Sequence, residues 1–509
     1  MMRNTIPILT ILVAAGATKA QYSTDWISTF NNLSGYNSAE DLLLTDSGKI
    51  YANGVFTQVN TGDAFIIGYA NDGTELWRNG LPDSIGRAWK IFLLNDGTLL
   101  SLGDFEDQSG TNDVIAQRFD TLGGLLGNTV LNSPGFATGD DFADAVMDGS
   151  GRIYLTGTFM QSGQFRPGLA RLDATGMLDW WQTYPLQANW NGLGKALAVE
   201  LIDDSLAVVW TRNGSSYTAA LGYDSAGNHL WTTDLMMSTE DNNKAMATDG
   251  LGHVLVGGRR NQMFNVTQLD AAGNVVWSTD LSYPGLNTVS ATIRHVSCDA
   301  NGDVYAVGEG SYQQGIPGPY YLLAKLSRNG HVLWTDTLNG GAINYCLNLD
   351  YALLHGDRWT IATAYIHSRL YEYDTTGTRL LHMNWNVPGA QLSNVNAMTT
   401  DGSGALFLAG RARLAGSAGD GFIAKLNPIS TSINDPLIGP SAPYPDPVND
   451  VLFLPGLPDS GSMVQVLDPT GRVVQRTTVN GTLDVRALPA GIYWVSAVGS
   501  TYGKRFVKQ

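Results

Sequence analysis

Hydrophobic positions alternate with polar ones over short stretches of this chain, and turns built on Asp, Asn and Gly separate the stretches. In LDAAGNVVWSTDL (Leu269–Leu281), an Asp-Ala-Ala-Gly turn joins two such runs, and the second run contains a Trp. Alternation with a period of two predicts strands with one buried face, and a Gly in a short polar turn predicts a tight hairpin. The dominant predicted element is therefore a two-stranded hairpin.

Two hairpins of this kind interleave along the chain. The turn of the first recurs seven times, and its Gly residues are 46 to 57 residues apart, at Gly73, Gly123, Gly176, Gly227, Gly273, Gly330 and Gly377. The second turn has six full copies, from TDSGKIYANG (Thr45–Gly54) to DGSGALFLAG (Asp401–Gly410), and degenerate copies at Ile202–Trp210 and Leu354–Ala362. Two hairpins in each period of about fifty residues predict a four-stranded blade of a β-propeller.

The last repeat is split between the two ends of the repeat region. GFIAKLN (Gly421–Asn427) lacks a following outer strand, and DWISTFNNL (Asp25–Leu33) has the Trp and spacing of such a strand. Pairing of these two segments would close the ring and remove its open edge. We therefore predict an all-β fold with an eight-bladed β-propeller over residues 22–428; seven blades is the alternative. The runs at Asp63–Trp77, Asp144–Gly157 and Asp420–Asn427 resemble the SBBP (beta-propeller) repeat family of secreted bacterial proteins, which implies a fold but no activity.

The net charge of the chain argues against two classes of binding partner. The chain of 509 residues has 46 acidic and 30 basic side chains, and this net charge of −16 argues against nucleic acid or an anionic membrane surface as a partner.

The first residues combine one Arg, an apolar run and a small-residue end, which predicts a signal peptide over residues 1–20 with cleavage after Ala20. No later apolar run is long enough for a transmembrane segment.

The repeats also resemble those of propeller enzymes that carry pyrroloquinoline quinone. That resemblance would imply a Ca²⁺ ion, an acidic base and often a disulfide of adjacent cysteines, but Cys298 and Cys346 are 48 positions apart and no carboxylate breaks the repeat. Whether the two cysteines are bridged stays open. DANGD (Asp299–Asp303) matches the turn of the other repeats better than a calcium loop, although a weak surface Ca²⁺ site stays open. The His residues are scattered, so we predict no catalytic, cofactor-binding or metal-binding residues.

Loop lengths give a functional hint. The turns inside the hairpins are tight and alike, whereas the connections between hairpins and between blades are longer and diverse, so the variable loops share one face. Varied loops on a rigid scaffold commonly form binding surfaces. The candidate ligand face, for a glycan or a protein, comprises Arg166, Trp190, Tyr312, Tyr320 and Tyr321.

The repeat pattern stops after Asn427. Residues 429–450 are rich in Pro, Ser and Asn and predict a linker, and the short strands of residues 451–509 predict a small Ig-like β-sandwich. Residues 451–509 contain six basic and three acidic side chains. This region resembles the type A sorting domain of type IX secretion substrates of Bacteroidetes, with the motif starting near residue 444. The matching residues are Tyr444, Pro445, Asp446, Pro447, Gly491, Tyr493, Lys504 and Lys508.

That resemblance implies a route and partners. Asp446 departs from the Asn that is usual in the family, at the less stringent end of the motif. The family implies Sec export to the periplasm, recognition by the type IX secretion machinery and a sortase, and then release or attachment at the outer surface. The function we favour is a non-enzymatic binding or adhesion module with an unknown surface ligand. The alternatives are a propeller enzyme acting on polysaccharide or using a quinone cofactor, and a structural surface-layer component.

Overall fold

The computed structural model describes most of the chain between Tyr22 and Gln509. The described residues are 22–31, 35–58, 61–80, 85–106, 112–131, 140–161, 164–184, 194–213, 217–239, 243–281, 288–312, 320–339, 349–363, 368–417, 419–429, 448–454, 461–468, 472–497 and 503–509. The predicted signal peptide and its cleavage site lie outside them, as do Trp190, Cys346 and the entry motif Tyr444–Pro447. Contacts divide the chain into two compact units, Met1–Ile429 and Ser430–Gln509.

The N-terminal unit is built from β-strands and one short 3-10 helix (Asp203–Ser205) in its described residues. The first sixteen strands are β1 (Tyr22–Phe30), β2 (Tyr36–Leu44), β3 (Ile50–Gln58), β4 (Thr61–Tyr69), β5 (Glu75–Gly80), β6 (Ile85–Leu93), β7 (Leu99–Glu106), β8 (Asn112–Phe119), β9 (Leu125–Leu131), β10 (Asp141–Met147), β11 (Ile153–Gln161), β12 (Gln164–Leu172), β13 (Leu178–Thr183), β14 (Gly194–Ile202), β15 (Leu206–Asn213) and β16 (Tyr217–Asp224). The next sixteen are β17 (His229–Asp234), β18 (Met246–Thr248), β19 (His253–Arg260), β20 (Met263–Asp270), β21 (Val275–Leu281), β22 (Thr288–Cys298), β23 (Val304–Tyr312), β24 (Tyr320–Leu326), β25 (Val332–Asn339), β26 (Leu349–His355), β27 (Arg358–Thr363), β28 (Ser368–Asp374), β29 (Arg379–Trp385), β30 (Ala390–Thr400), β31 (Leu406–Leu414) and β32 (Asp420–Pro428).

These strands form eight four-stranded antiparallel sheets among the described residues. Sheets 1 to 7 are consecutive groups of four strands, from β2–β5 to β26–β29, and sheet 8 consists of β30, β31, β32 and β1. The first strand of each sheet contacts the first strand of the next, from β2 through β6, β10, β14, β18, β22 and β26 to β30, and β30 contacts β2. The eight first strands therefore form a closed ring, and the arrangement is propeller-like.

The predicted closure of the ring is confirmed. Strand β1 pairs antiparallel with β32, with Trp26 opposite Lys425 and Ser28 opposite Ile423. The Tyr22 hydroxyl at the start of β1 donates a 2.8 Å hydrogen bond to the buried carboxylate of Glu372 in sheet 7. The N-terminal strand thus covers the edge that sheet 8 would otherwise expose.

Glycine turns and tryptophans join neighbouring sheets. All seven repeat glycines of the first motif have a positive φ, from +78° to +88°, which a residue without a Cβ adopts at little cost. A Trp of the preceding sheet packs over six of them, and its indole Nε1 donates to a carbonyl of the same turn at 2.9–3.3 Å. These pairs are Trp26–Gly73, Trp77–Gly123, Trp180–Gly227, Trp231–Gly273, Trp277–Gly330 and Trp334–Gly377. The tryptophans are packing residues between sheets, as the sequence predicted.

The C-terminal unit has a core of its own. Its strands are β33 (Val451–Phe453), β34 (Ser462–Leu467), β35 (Val473–Val479), β36 (Thr482–Asp484), β37 (Gly491–Ala497) and β38 (Gly503–Lys508). They form a two-stranded sheet, β33–β36, and a four-stranded sheet in the order β35-β34-β37-β38. Val448, which we expected in the linker, is fully buried in this core and forms a parallel β-bridge with Lys508. Within the described parts of the chain, no helix has the length and apolar character of a membrane span.

Candidate functional site

The space enclosed by the eight first strands, called the channel below, contains charged side chains that the repeat motifs do not share. Seven first strands have a β-bulge at an equivalent point; β18, which begins at Met246, is not among them. A bulge directs successive side chains toward one side of a strand. The residues that follow the bulges are Asp41, Lys90, Asp144, Ala198, His295, Tyr351 and Ala397.

Lys90 pairs with carboxylates inside the channel. Its Nζ lies 3.5 Å from Oδ1 of Asp144, and this carboxylate is the main cause that raises the pKa of Lys90. Asp41 accepts a 3.0 Å hydrogen bond from the backbone N–H of Ile91, while burial raises the pKa of its carboxyl group. The two carboxylates flank one ammonium group, so the channel wall is partly neutralised at this level.

Two further channel groups are shifted toward their neutral forms. Burial, and then the charge of Asp144, raises the pKa of Glu200 to about 8, against the opposing effect of Lys90. Burial lowers the pKa of His295 to about 4. At neutral pH both side chains are therefore mainly uncharged, and the channel interior avoids unpaired buried charge.

One end of the channel opens into a cavity of about 430 Å³. Residues of sheets 2 to 5 line it: Arg87, Trp89, Asp104, Asp141, Phe142, Ala143, Thr158, Lys195, Ala196, Leu197 and Lys244. These residues lie at the beginnings of first strands or toward the ends of second strands, close to the connections whose lengths vary among the repeats. We call this cavity the channel mouth.

Trp89 is held in a defined position at the channel mouth. Its indole Nε1 donates a 2.6 Å hydrogen bond to Oδ2 of Asp104, and Oδ1 of Asp104 accepts the backbone N–H of Phe142 at 2.5 Å. Burial raises the pKa of the Asp104 carboxyl to about 6 despite these hydrogen bonds. Asp104 thus fixes the Trp89 ring and joins sheet 2 to sheet 3.

Two cations lie over the Trp89 ring. The Arg87 guanidinium carbon is 4.7 Å and the Lys244 Nζ 5.7 Å from the ring centroid, within the range of cation–π attraction. Lys244 belongs to sheet 5, three sheets away from Trp89, and it is exposed to solvent. Surrounding protein lowers the pKa of Lys244, and the carboxylates of Asp144 and Asp41 oppose this effect.

Of the sequence-predicted ligand residues, Arg166 and Tyr321 have described side chains, and neither lines the channel mouth. Arg166 lies within β12 and is paired with Phe159 of β11. Strand β11 extends to Gln161 and β12 begins at Gln164, so the Phe159–Gly168 segment is a tight hairpin and not the long loop that we expected. Tyr321 is 3% exposed and packs in the core with Trp359 and Tyr371, so its side chain is not at the surface. Tyr312 and Tyr320 end and begin strands β23 and β24, and their side chains lie outside what the structure describes.

The structure also describes the surroundings of the Asp299–Asp303 turn, considered as a calcium site, and of Cys298. Lys325 Nζ lies 2.9 Å from a carboxylate oxygen of Asp303 and 3.6 Å from one of Asp299, so a lysine occupies the space beside the DANGD turn. No group of three or more His, Cys, Asp or Glu side chains is placed to share a metal ion in the described ranges. Cys298 carries a free thiol whose pKa is raised by burial.

The sorting motif is described at its C-terminal end. Tyr493 stacks on Phe506 at a ring distance of 5.8 Å, and its hydroxyl donates to the carbonyl of Pro489 at 3.0 Å. Gly491 pairs with Lys508 across β37 and β38, and Lys504 pairs with Val495. These residues hold the last strand of the chain in the central sheet of the C-terminal unit.

Comparisons with known proteins assign the C-terminal unit. Residues 442–509 match the family described as secretion system C-terminal sorting domain. This unit is therefore a sorting domain, and it marks the chain as a secreted or outer-surface protein that interacts with the type IX secretion system. No curated protein matches the chain.

Solved structures resemble the N-terminal unit in fold alone. Sqt1 of Chaetomium thermophilum matches with a TM-score of 0.52 and 12% identity, covering 81% of this chain and 99% of that one. The same protein bound to the N-terminus of ribosomal protein L10 matches with a TM-score of 0.50 and 12% identity, covering 80% and 100%. The polysaccharide lyase Uly1 has a TM-score of 0.43 and 9% identity, covering 76% and 90%.

Proposed function

We propose that this protein is an eight-bladed β-propeller that binds a ligand at the channel mouth and is carried to the cell exterior by its C-terminal sorting domain. Each of the eight sheets is one blade, and the C-terminal unit is an Ig-like sandwich. The seven-bladed alternative would require one sheet outside the ring, but the first strands of all eight sheets contact their neighbours in a closed cycle.

The observation that carries the binding role is the cavity at the channel mouth. Its volume of about 430 Å³ is within the range of small-ligand sites, roughly 300–1,000 Å³, and four sheets contribute to its lining. Trp89 is fixed there by Asp104, so the site is preformed. A second cavity, of about 420 Å³, lies between sheets 8 and 1 and is lined by turn residues such as Asp46 and Ser403, which belong to the turn that six of the eight sheets share.

A cavity-filling variant tests the binding role. Ala143→Trp would place an indole in the channel mouth, whereas Ala226→Trp adds the same side chain at an exposed turn of sheet 4. Screened as the full chain against glycans and peptides, the wild type and Ala226→Trp are expected to share a bound ligand that Ala143→Trp does not bind. Equal binding by all three proteins, or chemical conversion of the ligand, would contradict a non-enzymatic site at the channel mouth.

A deletion tests the transport role. Removing residues 430–509, which form a separate compact unit, is expected to leave the propeller folded in the periplasm. In the reciprocal experiment, residues 430–509 fused to a periplasmic reporter are expected to bring that reporter to the cell exterior. Normal surface delivery of the truncated chain, detected with antibodies on intact cells, would refute the assignment.

A further inference from the structure

Three of the residues that line the channel mouth are basic, and two, Asp104 and Asp141, are acidic. Arg87, Lys195 and Lys244 all line the cavity, and none forms an ion pair with another described residue. The neighbouring channel cations differ, because Lys90 pairs with Asp144 and Arg294 lies within ion-pair distance of Glu309. Lys90 and Arg294 are thus paired with carboxylates inside the channel, whereas the three basic residues at its mouth have no carboxylate within ion-pair distance among the described residues.

Two of these cations lie beside the same aromatic ring. Trp89 holds Arg87 and Lys244 over a single ring, with charge centres 4.7 and 5.7 Å from its centroid. Cation–π attraction to this ring helps to hold both side chains at the cavity. An anionic group that enters the cavity would be attracted by both side chains.

The overall composition makes this cluster informative. The chain has 30 basic and 46 acidic residues, yet among the eleven residues that line the channel mouth three are basic and two are acidic. We infer that the channel mouth binds a saccharide through an anionic substituent, a carboxylate or a sulfate group, held by Arg87, Lys244 and Lys195. This inference rests on the proposed binding function.

The lining favours a saccharide over an acidic peptide. The apolar members Phe142, Ala196 and Leu197 are 7%, 5% and 2% exposed, so they offer no open pocket for an apolar anchor of the kind that dominates protein interfaces. The accessible lining consists of Arg87, Lys195 and Lys244 together with the half-buried Trp89, Asp104, Asp141 and Ala143. Such a surface suits the hydroxyl groups and the single charged substituent of an acidic sugar.

Calorimetric titration of the full chain tests the inference with four probes. These are a galacturonic acid hexamer, a chondroitin sulfate hexamer, neutral cellohexaose and a glutamate hexapeptide. We expect at least one acidic saccharide to bind, with affinity falling as NaCl increases, and cellohexaose to bind at least about tenfold more weakly. The two acidic probes distinguish a carboxylate from a sulfate.

Charge variants locate the contact. Arg87→Ala and Lys244→Ala are each expected to weaken binding of the acidic saccharide by about tenfold or more, the effect of one charge-assisted hydrogen bond. Lys49→Ala, at the turn end of sheet 1, is the matched control and should bind like the wild type. Circular dichroism spectra and melting temperatures of the variants verify that they are folded.

Several outcomes would overturn the inference. Equal affinity for cellohexaose, undiminished binding by both charge variants, or binding of the glutamate peptide alone would each do so. If a neutral ligand binds and Ala143→Trp abolishes its binding, the proposed function stands and the inference about charge fails. If no probe or screened ligand binds, both fail.

Discussion

Replacing Gly273 with Ala tests whether the tryptophan contacts hold neighbouring sheets together. Gly273 has φ +80°, and a Cβ at this position would lie 2.5 Å from ring carbons of Trp231 in the preceding sheet. The indole cannot shift freely, because its Nε1 donates a 3.0 Å hydrogen bond to the carbonyl of Ala271. The substitution therefore combines backbone strain with a collision across the interface.

A matched control separates the two effects. Gly97 has the same φ of +80°, but no heavy atom lies within 4 Å of the position of its Cβ. An Ala in this left-handed conformation costs about 1–2 kcal/mol, and overpacking against a fixed ring adds about 1–3 kcal/mol. We expect Gly97→Ala to lower the free energy of unfolding by about 1 kcal/mol and Gly273→Ala by about 3 kcal/mol.

Urea unfolding followed by far-ultraviolet circular dichroism measures the difference between the two variants. In a Trp231→Ala background only the 3.0 Å approach to the Thr233 hydroxyl oxygen remains, so the additional cost of Gly273→Ala should fall toward that of Gly97→Ala. Equal destabilisation by the two glycine variants in the wild-type background would refute the role of the tryptophan contacts. Persistence of the additional cost in the Trp231→Ala background would refute Trp231 as its cause.

Two further predictions concern buried carboxyl groups. Because the pKa of Glu200 is raised to about 8, wild-type stability falls as the pH rises from the ordinary carboxyl range toward 8, and Glu200→Gln should gain stability relative to wild type over that interval in thermal melts. The exposed control Glu75→Gln should show no such trend, and parallel curves for wild type and Glu200→Gln would contradict the shift. Glu372→Ala should destabilise the unit by about 2 kcal/mol, because it removes the buried acceptor of both the Tyr22 hydroxyl and the partly exposed Arg358 guanidinium, whereas Tyr22→Phe should cost about 1 kcal/mol. Equal urea midpoints for these two variants would argue against a linking role for the buried carboxylate.

The repeat architecture was predictable because its signals are local and recur. Each copy needs a residue with positive φ in its turn, so Gly recurs, and most sheets place a Trp over the next turn. The same Trp at position 26 identified the strand that closes the ring. Such signals do not depend on distant parts of the chain.

The channel mouth was not predictable from those signals. Single departures from the repeat are hard to recognise, as the adjoining channel shows: Lys90 and Asp144 follow the bulges of sheets 2 and 3, whereas Ala198 and Ala397 occupy the equivalent positions in sheets 4 and 8. An alignment of the first strands on their turns could have shown this column of charged residues. Arg166 was misplaced for the opposite reason, because a stretch with Gly and Pro looked irregular although it forms a paired hairpin.

Hydrogen–deuterium exchange of the full chain with its saccharide ligand tests the central claim most directly. We expect the ligand to slow amide exchange at the beginnings of β6, β10 and β14, near Arg87, Asp141 and Lys195, and to leave the turns at residues 45–49 and 94–98 unchanged. Slower exchange at those turns, or on the C-terminal unit alone, would show that the ligand binds elsewhere and would contradict binding at the channel mouth.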